Sequence, residues 1–382
     1  MVPLLARIFL VTDTLLQSFL SEAYYAVRIF FPLPLILAFA SVPVLLLISG
    51  FLPSGLSDIQ LIKANTATVF LLEGLTILSL VSFADLREEK EMAYENWIYD
   101  ENWGKGIRTA ETDQPSGQVP MTAVNLALAM TGRLSPEMFH FDQKENDLFI
   151  PYVRRGMTPF TASEPFYFLG MNNFSQMFAM ETIESTVDAR LPSRSVRRAA
   201  ETYMLNGQYD IARKYFTIVS HTLLYRNWAK KYLKLLDNEQ KLLSDPEIAE
   251  KKGRMPKHDF YYDYQNMDFA LKSLIVSNRQ NKVAFEYLMA YYLLKKDLDG
   301  FLQNVAMIRQ MGYQEMPLAY QEAVAYILTR LPEPPAELQA MVTEPVIDKL
   351  NAYANSYNVS RLDTAMMKKE YGNTYWFYLH FK

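Results

Sequence analysis

From Ile29 to Ser57, between Arg28 and Asp58, the chain carries no charged side chain: IFFPLPLILAFASVPVLLLISGFLPSGLS. A run of roughly 20 apolar residues is enough to cross a bilayer, and this one is longer. It predicts a transmembrane helix over Ile29–Leu52 and makes the remainder a domain held at a lipid surface. Pro32, Pro34 and Pro43 lie inside it. They would be costly in a soluble helix but are tolerated where neighbouring helices re-satisfy the freed backbone, with a kink near Pro43.

A second span is predicted over Ala64–Ala84, interrupted only by Glu73. A charge at mid-depth costs about 2.5–3.5 kcal/mol on insertion scales, which the flanking Leu, Ile, Val and Phe side chains can offset. Glu73 reads either as an intramembrane proton or ion site, or as a carboxyl that is protonated or packed on another helix. No second intramembrane ionisable residue is available to pair with it. Residues 1–27 are apolar but broken by Arg7 and Asp13, and read as an amphipathic interfacial helix or part of a further span. Residues 1–84 thus form a membrane region and 85–382 a second domain. With both spans inserted as a hairpin, Lys63 is alone in the connecting loop, while Arg7, Arg28, Arg87, Lys90, Lys105 and Arg108 flank the other side. The excess of cations there puts the large domain in the cytoplasm. If one span fails to insert, or residues 1–27 also span, it is periplasmic.

A formal net charge of −4 argues against a nucleic-acid partner, which needs a basic face to neutralise phosphates. The absence of Cys excludes disulfides, thiolate metal sites and a Cys nucleophile. Beyond residue 84 the charges are dispersed, and the chain holds 25 Tyr and 23 Phe overall, ample for a packed core.

From Asp85 onward the apolar spacing is helical, and the fold class is all-α. Pro-rich or polar punctuation at Thr109–Pro120, Pro151–Pro165, Ser244–Asp259 and Leu331–Pro345 predicts loops between helical blocks. The clearest block is Ser193–Tyr225. Ser193 is the expected N-cap, Val196, Ala199, Ala200, Tyr203 and Met204 form one apolar stripe, and Gly207 ends the helix. Ile211, Ala212, Tyr215, Phe216 and Val219 form the stripe of a second helix.

Ala200, Tyr203, the run Gly207-Gln-Tyr-Asp-Ile-Ala212 and Phe216 resemble the tetratricopeptide repeat in their small, aromatic, Gly, Tyr, Ala and aromatic positions. Ala290, Leu293, Asp297, Leu302 and Ala306 keep the spacing without the Gly and the aromatic; Trp97–Ala110 and Asn125–Phe141 are weaker copies. The strict repeat period is not kept, so the resemblance implies an irregular α-solenoid of divergent helical hairpins. NLALAMTGRLSPEMFHF, AFEYLMAYYLLKKDLDGF, LAYQEAVAY and the ending YGNTYWFYLHF are also similar to a family of bacterial inner-membrane proteins without an assigned activity, which join several membrane helices to a C-terminal tetratricopeptide-like region. That resemblance covers roughly residues 60 to 382 and implies location and fold, with a membrane part shorter here than in its relatives.

In the tetratricopeptide resemblance the first helix of each repeat lines a concave groove. Carried over, its positions imply Arg194, Arg197 and Glu201, followed by Met204 and Leu205, in one repeat. In the other they imply Tyr287, Tyr291 and Lys295, with Ala284 and Leu294. Such a groove could hold an extended peptide carrying a carboxylate, through guanidinium hydrogen bonds and ring contacts; the alternative is solvated Arg residues and core aromatics. No catalytic, cofactor or metal site is expected. His140, His221, His258 and His380 lack an HxxxH or HExxH spacing, Ser220-His221 are chain neighbours on a helix surface, and His258-Asp259 lie in a Tyr-rich loop. Gly104-Lys105-Gly106 lacks the frame of a phosphate loop. The aromatic run Tyr375–Phe381 reads as a last segment packed back onto the domain or as a membrane-interface belt.

The function expected from the sequence is a membrane-anchored helical-repeat scaffold at a bacterial inner membrane. Its partners are the lipid bilayer and a protein or peptide, with no catalysis. The alternative is an accessory part of a membrane enzyme or transporter acting on lipid- or glycan-linked substrates.

Overall fold

Ser57 opens the first helix with half of a capping box: its backbone N–H donates to Gln60 Oε1 at 3.1 Å, satisfying a donor that a helix start would otherwise leave bare. This computed structural model describes residues 57–83, 87–151, 158–185, 191–258, 266–360 and 363–382, with Ile36, Phe39, Ala40 and Pro43 as isolated helical positions. The rest of the expected span Ile29–Leu52, and all of residues 1–27, lie outside the described residues. The chain divides into Met1–Glu89 and Lys90–Lys382. Among the described residues every regular element is a helix.

In the first unit, α1 (Asp58–Phe83) runs for 26 residues, about 39 Å at roughly 1.5 Å per residue. It starts earlier than the expected Ala64, so Lys63 belongs to the helix and not to a connecting loop. The Ser57–Gln60 contact and Asp58 in the first turn, where a carboxylate complements the helix dipole, account for the early start. Within it, Asp58–Leu78 is the one stretch among the described residues long and apolar enough to cross a membrane, and none of it is buried. Phe70 and Val81 are 68% and 77% exposed.

The second unit holds the rest of α2 (Arg87–Tyr99), then α3 (Trp103–Thr112), α4 (Gln118–Met130), α5 (Leu134–Glu137), α6 (Thr158–Leu169), α7 (Asn172–Ser185) and α8 (Ser193–Leu205). Next come α9 (Tyr209–Ser220), α10 (Arg226–Leu235), α11 (Glu239–Leu243), α12 (Pro246–Arg254), α13 (Met267–Ser277), α14 (Lys282–Leu294), α15 (Leu298–Asn304) and α16 (Met307–Gln310). The chain ends with α17 (Leu318–Leu328), α18 (Ala336–Gln339), α19 (Glu344–Ser360), α20 (Thr364–Tyr371) and α21 (Tyr375–Phe381).

One local device recurs between neighbouring helices. A residue with positive φ follows the last turn, and the next N–H bonds back to a carbonyl five residues earlier, the Schellman end that reverses a helix. Gly132, Gly170 and Gly207 occupy it at φ 69°, 89° and 75°, with Arg133 N to Leu128 O at 2.7 Å, Met171 N to Phe166 O at 2.8 Å and Gln208 N to Tyr203 O at 2.9 Å. Lys296 takes the same conformation at φ 57°, with Asp297 N to Tyr292 O at 2.9 Å, so the α14–α15 turn keeps the geometry without its glycine. At Gly170 a Cβ would lie 2.4 Å from the Arg254 carbonyl oxygen. Glycine is required there for close approach as well as for φ.

Consecutive helices α6 to α10 pack each on the next, and α12 returns against α6 and α8. A second group joins α13, α14, α15, α17, α19, α20 and α21; α4 touches α3, α5, α6 and α14, and so bridges the two groups. The core follows the apolar stripes: Ala199, Ala200, Ala212, Phe216 and Val219 are fully enclosed between α8 and its neighbours. The C-terminal aromatic run is interior too, with Tyr375 and Trp376 at 0% exposure. Trp376 Nε1 donates to the Glu322 carbonyl at 2.7 Å and the Tyr378 hydroxyl to the Leu294 carbonyl at 2.6 Å.

Three sequence expectations are corrected locally. Ser193 is the first residue of α8; Pro192 precedes it as the cap and no side chain bonds the helix start. Pro165 lies inside α6 where a loop was expected, because burial of Phe160, Phe166, Phe168 and Leu169 outweighs one lost backbone bond. Pro246 marks the start of α12, capped by Asp245, since proline fits the first helical turn.

Candidate functional site

Arg198 stands on α8 among small buried neighbours, Ser195, Ala199 and Thr202, which leave room for its long side chain beneath the surface. It is 3% exposed. Its guanidinium grips Glu164 of α6 with two bonds, Nε to Oε1 at 3.1 Å and Nη2 to Oε2 at 2.7 Å. A third goes from Nη1 to Glu201 Oε2 at 2.6 Å. The Tyr167 ring lies 3.5 Å from the guanidinium carbon, a cation–π contact on the same helix as Glu164.

Around this fork charge continues through Arg197 on one side and, on the other, across the Tyr167 ring, whose centroid lies 5.1 Å from Lys251 Nζ. Arg197 Nε donates to Glu201 Oε1 at 3.2 Å, and its guanidinium lies 4.2 Å from the Trp228 ring and 4.8 Å from the Tyr99 ring. Lys251 of α12, 5% exposed, donates to Glu247 at 2.7 Å and to Glu101 at 3.1 Å. The Tyr232 hydroxyl of α10 donates to the second Glu247 oxygen at 2.8 Å. Burial works against the Arg198 charge, but Glu164 and Glu201 outweigh it and hold the guanidinium well above its ordinary value. Burial likewise opposes the Lys251 charge, and Tyr167, Glu201, Glu101 and Glu247 together raise it. Both cations stay charged at any physiological pH.

Chemically the arrangement clamps helices. Each buried charge meets an opposite charge through a hydrogen bond, so removing one partner would strand another in a low-dielectric interior. A smaller feature lies where Tyr94, Trp97, Thr109 and Asp113 bound a cleft of about 80 Å³, room for a few water molecules. Lys90 Nζ reaches Asp113 there at 2.5 Å. The Tyr94 hydroxyl has no hydrogen-bond partner among the described residues, and burial followed by Asp113 pushes it up to about 12.

The six expected groove residues do not share one open surface. Arg194 donates to the Asn96 side chain and lies over the Tyr99 ring; Arg197 and Glu201 belong to the buried network, Glu201 at 2% exposure. Tyr287 is fully buried, its ring 5.5 Å from Phe149. Tyr291 is half-buried, and Lys295 holds Glu145 at 2.5 Å. The physical reason is that α13, α15, α4 and α5 all pack on α14, so a helix whose sequence is apolar on every side has little face left for a ligand. Arg198, Glu164, Lys251 and Glu247 were not among the expected residues. Glu164 carries the one legible signal, being the sole charge in the α6 sequence TPFTASEPFYFL.

Among the described residues no group of three or more His, Asp or Glu side chains is placed to hold a metal ion. His380 sits between the Tyr353 hydroxyl, 2.7 Å from Nδ1, and the Tyr326 hydroxyl, 3.3 Å from Nε2. Burial, then Arg330 and Lys296, keep its pKa low. His221 is exposed beside Ser220, whose hydroxyl bonds the Thr217 carbonyl at 2.7 Å. Asp259, with Tyr261, Tyr262 and Tyr264, lies outside the described residues.

A family model described as a family of unknown function (DUF6057) matches residues 1–382. No curated protein and no solved structure matches the chain.

Proposed function

We propose that this chain, which belongs to the DUF6057 family of unknown function, is a membrane-anchored helical-repeat scaffold that binds a protein or peptide partner at a bacterial inner membrane, without catalysis of its own. The observation that carries this reading is α1, a 26-residue helix whose stretch Asp58–Leu78 is apolar and, among the described residues, nowhere buried. A helix of that length suits a bilayer, and its exposed Ile, Leu, Phe and Val surface would be a liability in water. Support for the helical-repeat part comes from α8 and α9, which pair across a Gly207 turn through Ala200, Ala212 and Phe216, and from α14 and α15, which reverse at Lys296 in the same way. These hairpins suit a tetratricopeptide-like solenoid, although the return of α12 onto α6 makes it an irregular one.

The buried carboxylates and cations near α8 are committed to one another, which favours a framework role over turnover. Partner contact then falls to outward side chains, with Tyr291 and Lys295 the remaining groove positions on α14. A photo-crosslinking side chain at either position, tested on the full chain in native membranes, is expected to give a discrete adduct whose purified partner rebinds. Adduct formation no greater than at the exposed Lys369 would remove the groove from this account. Glu73, exposed in the middle of α1, favours a second reading, an accessory subunit of a membrane enzyme or transporter acting on lipid- or glycan-linked substrates. Glu73→Gln is expected to be silent for the scaffold and to abolish turnover for the accessory subunit.

A further inference from the structure

Charge is unevenly distributed over the surface of the second unit. Residues 211–236 contain Arg213, Lys214, Arg226, Lys230, Lys231 and Lys234 and no acidic side chain, in a chain whose net charge is −4. Arg213 pairs with Asp237 at 2.9 Å and Lys231 with Asp245 at 3.1 Å. Arg226, Lys230 and Lys234 are exposed and have no ion-pair partner among the described residues. Their spacing of four puts them in one line along α10, opposite the buried Ala229 and Tyr232.

The turn leading into that line presents two consecutive leucines to solvent, Leu223 at 63% and Leu224 at 79% exposure. Ile218, on the outer side of α9, is 41% exposed. Apolar side chains at a helix–helix tip beside a row of unpaired cations match a bilayer surface: the leucines enter the acyl boundary while the cations meet anionic headgroups. Mobile lipid headgroups can rearrange to meet a straight row of cations, and the acyl boundary accepts a protruding pair of leucines without a preformed pocket.

We infer that the α9–α10 tip, Leu223 and Leu224 with the Arg226, Lys230 and Lys234 row, is a docking surface for an anionic lipid bilayer. The inference rests on the membrane residence proposed above, because a tethered domain meets the bilayer at high effective concentration. It would regulate how the domain is held, with attachment weakening as salt screens the row.

The chain has no Cys, so Leu224→Cys gives a unique site for an environment-sensitive fluorophore in the full-length protein. Reconstituted in nanodiscs, the label is expected to shift to the blue and lose access to iodide when anionic lipid is present, but not in zwitterionic lipid alone. Neutralising Arg226, Lys230 and Lys234 to Gln should weaken the response by about fivefold for each charge removed. These exposed positions leave the fold unaltered, which circular dichroism verifies. Equal iodide access in both lipids, or an unchanged response in the triple variant, would overturn the docking surface. So would protection by poly-glutamate but not by anionic discs, which would assign the face to an acidic protein. Co-elution with the discs reports anchoring separately. Should the chain fail to incorporate, flotation with anionic vesicles decides the tip: binding lost in the triple variant upholds it, and no binding ends it.

Discussion

At the scale of single residues, Glu322 shows how burial writes a pH dependence into this fold. Its carboxylate, 2% exposed, accepts the Tyr375 N–H at 2.7 Å and stands 3.8 Å from Lys349. Burial dominates, pushing it from 4.5 up to about 7 against the opposing pull of Tyr375 and Lys349. Lys349 is more than a third exposed, so its charge is screened and the long pair helps little. Because the folded protein holds this proton more tightly than the unfolded chain, stability falls as pH rises from about 4.5 to about 7 and levels off above, by on the order of 3 kcal/mol. Denaturant titrations should show that decline in the wild type and a flatter profile in Glu322→Gln; identical profiles would contradict it. Arg198→Ala should cost roughly 3–5 kcal/mol, since it strands Glu164 in the interior and leaves Glu201 with Arg197 alone. Arg198→Met combined with Glu164→Leu should recover much of that loss, a coupling that a double-mutant cycle measures.

At the scale of elements, the hairpin at 193–220 was legible because its signals are local: an apolar stripe, a glycine at the reversal, a second stripe. The α14–α15 reversal was weaker in sequence because Lys296 stands where glycine is usual, although the backbone does the same thing. Proline misled where burial overrode it, at Pro165, and where it begins helices, at Pro246. Of the Glu164–Arg198–Lys251 clamp only Glu164, the sole charge in its helix, left a trace in the sequence. The clamp joins side chains from three helices, and nothing in the spacing of α8 says that Arg198 points inward while exposed cations elsewhere point out. The burial of Tyr287 and Glu201 was illegible for a related reason, since a repeat pattern fixes which side of a helix faces its neighbour but not how many other helices will cover it. The reversals give a graded test. Gly207→Ala and Gly132→Ala meet no atom within 4 Å and should cost only the left-handed backbone term, about 1–2 kcal/mol. Gly170→Ala, driven against the Arg254 carbonyl, should cost more. Equal melting temperatures for the three variants would remove that close approach as a determinant.

At the scale of the whole molecule, the second unit is a helical framework whose charged interior is consumed in holding α6, α8, α10 and α12 together. The first unit offers a long apolar helix in which, among the described residues, nothing from Asp58 to Leu78 is buried. Helical content and the amphipathic stripes were visible in the sequence, as was the apolar character of residues 64–83. The return of α12 and the bridging by α4 were not, because they depend on contacts between segments far apart in the chain. A framework of this kind and an uncovered apolar helix make sense together if the chain lives in a bilayer and works by holding something beside it. Extraction of membranes carrying the full chain with alkaline carbonate tests that most directly. The protein should remain wholly in the pellet and leave it only with detergent, and its release into the carbonate supernatant would contradict membrane anchoring.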